Sequence, residues 1–141
     1  MEKTMLTNES VDMEKVKEIY HELFGFVPEP TQARHVFTQE VRIEDLPLHE
    51  EFRKNSMESK HIPEKYVQLS LFGMLLMVMA PGAKVHLIAS RRAGATWDEI
   101  YDVTKLAFLF RGLSAFNLGM VFVQEVKEIE LKNSEIDNSG N

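Results

Sequence analysis

Residues 62–126 read IPEKYVQLSLFGMLLMVMAPGAKVHLIASRRAGATWDEIYDVTKLAFLFRGLSAFNLGMVFVQEV. The stretch divides at Pro81-Gly82, at Gly94 and at Gly112. Pro63 fits a first helical position, where its missing N–H costs nothing. Tyr66, Leu69, Leu71, Phe72, Leu75, Leu76 and Met79 follow on most faces of one helix, which predicts burial on several sides. A second helix restarts at Pro81-Gly82 and runs to Ala93, with Gly94 as its stop. Thr96 and Glu99 form a capping box, in which each side chain takes the other residue's backbone N–H. That third helix carries Ile100, Val103, Thr104, Leu106, Ala107 and Phe110 to Gly112. Ser114 is placed to cap a fourth, with Phe116, Met120, Val123, Val126 and Ile129 on its buried side.

Working outward, Asp12 reads as the N-cap of a helix whose apolar face is Met13, Val16, Ile19, Tyr20, Leu23 and Phe24. Gly25 ends it, and Pro28 and Pro30 keep it from resuming. Residues 31–60 suit two short helices, near 31–41 and 47–58, with Pro47 in the first turn of the second. Residues 35–43 also alternate in part, which leaves a short extended segment open. Residues 1–11 are polar and read as a flexible start, and residues 133–141 as a disordered tail. The expectation is one all-α domain over residues 12–132, a compact helical fold.

Composition narrows the function. The 141-residue chain carries 16 basic and 22 acidic residues, a net charge of −6, and its positives are scattered. That argues against nucleic acid, because phosphate binding needs clustered Lys and Arg. With no cysteine, disulfides and thiolate chemistry are excluded. The start lacks an apolar signal core, and the run from Leu69 to Pro81 is shorter than the roughly 20 residues that span a bilayer. No membrane partner and a cytoplasmic location are the expectation. So many large apolar residues in residues 62–130 point to packing against another subunit, unless residues 13–58 cover them.

His86 is the leading chemical candidate, a lone imidazole in apolar sequence five residues after Pro81. Near a helix N-terminus the dipole disfavours imidazolium, which suits a base or neutral donor. The structural alternative is a core histidine bonded to a carbonyl. The five histidines stand far apart, so no metal and no cofactor is expected. Arg91 and Arg92 are able to meet an anionic substrate, or form a solvated helix end.

The order of these elements resembles the carboxymuconolactone decarboxylase and alkyl hydroperoxidase D superfamily, over roughly half the chain. The resemblance rests on Phe24-Gly25-Phe26-Val27-Pro28, Gln68-Leu69, His86, Gly94, Thr96 to Ile100, and Gly112-Leu113-Ser114-Ala115-Phe116-Asn117. It implies central antiparallel helices, assembly as a homotrimer or homohexamer, and a site on those helices. Where the peroxidase branch has Cys-x-x-Cys, this chain has Met79 and Gly82, so peroxide reduction through a disulfide is excluded. The resemblance implies instead a cofactor-free lyase or isomerase of the decarboxylase branch, acting on a small carboxylated lactone or related acid. His86 is then the general acid/base, with Gln68, in place of the family's acid, beside it. Asn117 and Arg91 are expected to bind the substrate. Gln68 cannot move a proton, and Glu64 is the alternative for that acidic position. The other reading is a non-catalytic oligomeric binding protein that keeps the fold.

Overall fold

The computed structural model describes residues 11–140. Among them are seven helices and no strand, arranged as two units, residues 11–57 and 58–140. No helix among the described residues is long and apolar enough to cross a membrane.

The first unit holds α1 (Met13–Phe24), α2 (Glu29–Arg42) and α3 (Asp45–Met57). Asp12 caps α1 through its carboxylate, which accepts from the backbone N–H of Glu14 and Lys15. Gly25 closes the helix at φ 82, a left-handed conformation that a Cβ would penalise. Residues 35–43 are helical to Arg42, not extended. A helix satisfies its own backbone polar groups, whereas a lone strand has no partner here. Pro47 does sit in the first turn of α3.

The middle of this unit is polar as well as apolar. Tyr20, Phe24 and Leu46 are buried, and so is His35. The Glu50 carboxylate gathers three donors: Tyr20 O–H at 2.7 Å, Arg34 Nη2 at 2.9 Å and His35 Nε2 at 3.0 Å. Arg34 Nη2 also donates to the Tyr20 oxygen at 2.7 Å. One carboxylate on α3 thereby ties α1 and α2 to it. Burial opposes its charge, but the hydrogen bonds from Tyr20 and His35 and the Arg34 cation outweigh that and hold Glu50 below the usual carboxylate range. Burial, then the Glu50 contact, raises the Tyr20 phenol above its ordinary value.

The second unit holds α4 (Glu64–Met77), α5 (Ala83–Arg92), α6 (Trp97–Arg111) and α7 (Leu113–Ser139). Pro63 is the N-cap of α4, one position before its expected place. After α4 the chain turns through Met79 at φ 55, with Ala80 N–H returning to the Leu75 carbonyl at 2.9 Å. The capping box at Thr96 and Glu99 is formed in both directions. Gly112, at φ 95, separates α6 from α7.

Pairings across the helices give their directions. Gln68 meets His86 while Gly82 lies near Leu75, so α4 and α5 are antiparallel. Phe116 packs on Phe108 and Gly119 on Thr104, so α6 and α7 are antiparallel too. Lys65 pairs with Glu99, and Gly73 faces Val103, so α4 and α6 run the same way. Lys84–Glu125 and Arg91–Glu130 likewise make α5 parallel to α7. The core between them includes Leu69, Phe72, Leu76, Leu87, Ile100 and Phe122. Each such side chain contributes about 1.5–3 kcal/mol by leaving water.

Three details of α7 differ from the sequence expectation. Helix α7 begins at Leu113, with Gly112 rather than Ser114 as its cap residue and no side-chain cap bond. Its buried stripe keeps the expected Val123 and Val126, with Met120 partly buried on the core, but also takes in Ala115, Gly119 and Phe122, because glycine lets α7 come close to Thr104 and Leu76. The helix also runs on to Ser139, where a disordered tail was expected from residue 133. No Gly or Pro stands between Asn133 and Ser139, and extending an existing helix adds one hydrogen bond per residue fixed. Of the expected flexible start, residues 1–10 lie outside the described residues.

Candidate functional site

Glu64 and Gln68 are four residues apart on α4, hence neighbours on one helix face. Gln68 is fully buried and donates through Nε2 to the Glu64 carboxylate at 2.8 Å. Its other amide atom, Oε1, lies 2.8 Å from His86 Nδ1 on α5. His86 is buried, one turn in from the start of its helix.

The direction of the chain follows from donor and acceptor chemistry. A carboxylate only accepts, so the Gln68 amide must turn its NH2 towards Glu64. The amide oxygen then accepts from His86, so Nδ1 carries a proton, and in the neutral ring the lone pair falls on Nε2. Gln68 thus orients an imidazole and selects its tautomer. The acidic residue stands one turn further out, at Glu64, and reaches His86 through the amide.

Of the four residues singled out in the sequence, the structure brings Gln68 and His86 together. Arg91 is engaged elsewhere. Its Nε and Nη2 grip both Glu130 oxygens at 2.8 and 2.9 Å, and Nη1 donates to the Ala95 carbonyl at 2.7 Å. Its guanidinium also lies 4.1 Å from the Trp97 ring centroid. A substrate carboxylate would have to displace Glu130 to use this fork. Arg91 therefore clasps α5 to α7. Asn117 stands on an exposed face of α7.

A cavity of about 540 Å³ opens between α4 and α6. Its walls are mainly apolar, with Leu69, Met74, Val103, Leu106 and Phe110 among them. Neither Gln68 nor His86 lines it. Glu99 at its polar edge is held below the usual carboxylate range by the Thr96 backbone N–H, then by Lys65. Leu106 and Phe110, both on α6, stand at this cavity. They are 63% and 81% exposed, because α6 already presents Ile100, Thr104 and Ala107 inward.

No cluster of three or more metal-ligating side chains occurs among the described residues. No family model matches the chain, and no curated protein or solved structure matches it either. The arrangement of Glu64, Gln68 and His86 is therefore read on its own chemistry.

Proposed function

We propose that this protein is a cofactor-free proton-transfer enzyme, a lyase or isomerase of the carboxymuconolactone decarboxylase type, with His86 as general acid/base. The observation that carries the reading is the Glu64–Gln68–His86 chain, which aligns one imidazole in a mainly apolar four-helix core. In the proposed reaction the C–C bond to a substrate carboxylate breaks and its electron pair passes into an enolate. His86 Nε2, having taken a proton from substrate or solvent, returns that proton to the vacated carbon. An apolar surrounding strengthens such steps by excluding water. Asn117 is the proposed substrate-orienting side chain. Arg91 would join it only by releasing Glu130.

The test is decarboxylation of 4-carboxymuconolactone and related lactone acids, followed by ultraviolet absorbance, with His86→Ala alongside. Turnover is expected in the wild type and lost in the variant. Turnover that survives His86→Ala would end this reading.

A second reading is supported by different residues. The apolar cavity between α4 and α6, with exposed Met74, Leu106 and Phe110, suits an oligomeric protein that binds an apolar ligand without transforming it. It predicts a trimer or hexamer in sedimentation equilibrium and saturable ligand binding that Leu106→Asp removes. Turnover dependent on His86 would reject it.

A further inference from the structure

The first unit contains a cavity of its own, about 730 Å³, bordered by α1, α2 and the connector between them. Met13, Phe26 and Val36 give it apolar walls, and Lys17, Gln39 and His35 give it polar ones. No carboxylate among the described residues lines it, in a chain whose net charge is −6. Lys17 lies 3.8 Å from Glu14, a solvent-exposed pair of little strength.

His35 is the unusual member. It is 2% exposed, and its Nε2 is committed to Glu50, which is not part of the cavity wall. Glu50, held as a carboxylate by Tyr20 and Arg34, accepts only, so Nε2 carries a proton, and in the neutral imidazole Nδ1 carries the lone pair. That Nδ1 is buried and has no hydrogen-bond partner. A buried acceptor without a partner is rare enough to need an explanation, and a ligand donor is one.

We propose that this cavity binds a small amphipathic hydroxy acid. Its hydroxyl donates to His35 Nδ1, its apolar body packs on Phe26 and Val36, and its carboxylate meets Lys17. A single anionic group suits the lysine, and the walls favour a carbon skeleton over an inorganic anion. Nδ1 is shielded from water as it stands, so the hydroxyl meets it only when a side chain of the cavity wall moves aside. The Glu50–His35 pair fixes the acceptor in advance, so no ring reorientation opposes binding. The site shares no residue with the Glu64–Gln68–His86 chain and stands or falls independently of it.

The probe is 4-hydroxyphenylacetate, titrated into ¹⁵N-histidine-labelled protein while the imidazole nitrogens are followed by NMR. A saturable shift of His35 Nδ1 is expected. The methyl ether, 4-methoxyphenylacetate, should bind roughly fivefold or more weakly, because one neutral hydrogen bond is lost. Lys17→Ala should weaken both by about two- to fivefold. His35→Gln preserves a donor for Glu50 but lacks Nδ1, so the two probes should bind it equally. No saturable shift at His35 up to about 10 mM, generous for a ligand of this size, would overturn the proposal. Equal binding of the two probes by wild type would also overturn it. That comparison decides the matter even if His35→Gln fails to fold by circular dichroism.

Discussion

Replacing Gln68 by methionine tests the reading of the α4–α5 contact most directly. The side chains are similar in length, so no large cavity opens and the main loss is two hydrogen bonds. The two partners respond differently. Glu64 is exposed and regains water, at little cost. His86 is buried, and its Nδ1–H loses the Gln68 acceptor; an unmet buried donor costs about 1–3 kcal/mol. With a urea dependence of about 2 kcal/mol per molar, the unfolding midpoint should fall by roughly 0.5–1.5 M. Urea titration followed at 222 nm gives that number. Long-range ¹⁵N–¹H spectra give the second: in wild type the proton should reside on His86 Nδ1, and in Gln68→Met the tautomers should mix. Glu64→Gln is the control, since its amide oxygen still accepts from Gln68 and should shift the midpoint by less than about a third as much. A Gln68→Met midpoint equal to wild type would refute the argument. So would a wild-type imidazole protonated at Nε2.

Other consequences follow from packing, capping and charge. A Cβ at Gly119 would lie 2.7 Å from Thr104 Cγ2 and 3.1 Å from Leu76 Cδ1. Gly119→Ala should therefore lose about 1–3 kcal/mol to overpacking, less about 1 kcal/mol regained in helix propensity; adding Thr104→Ser, which removes that methyl, should recover most of the loss in thermal melts. Thr96→Ala removes one half of the capping box and should destabilise the second unit by about 1 kcal/mol in urea titration, whereas an unchanged midpoint would mean the box contributes nothing. Because Glu50 titrates lower when folded than unfolded, its contribution is complete above the ordinary carboxylate range. It is lost as pH falls through that range towards the folded value. Melts between about pH 6 and pH 3 should show Glu50→Gln with a flatter acid limb than wild type, and identical limbs would contradict the role given to Glu50.

Much of the helical framework could be read from local signals. Asp12 with Gly25, Thr96 with Glu99, and the breaks at Pro81, Gly94 and Gly112 act within a few residues of themselves, where the bonds they make or prevent are fixed by the sequence. The errors came where tertiary packing competes. Phe116 has the right spacing for a buried stripe, yet Gly119 and Ala115 are the buried positions there, because small residues let two helices approach; Met120 does pack on the core. The pattern on α6 likewise left open that Leu106 and Phe110 stay exposed while Ile100, Thr104 and Ala107 fill the inward face.

The candidate site divides the same way. His86 was visible as a lone polar group in apolar sequence, and Gln68, with Glu64 as the alternative, through the resemblance. That Gln68 rather than Glu64 touches the imidazole depends on how α4 meets α5, and so does the tautomer. Arg91 looked available for a substrate until Glu130, 39 residues later, was found across from it. The contacts joining Tyr20, Arg34, His35 and Glu50 left no trace in the sequence, since these residues lie on three helices and share no spacing pattern. The sequence by itself determined that the chain is helical, where most of its helices begin and end, and that cysteine chemistry is absent. Only the tertiary structure decided which polar groups meet, because a hydrogen bond between helices depends on their packing and register, which local pattern does not encode.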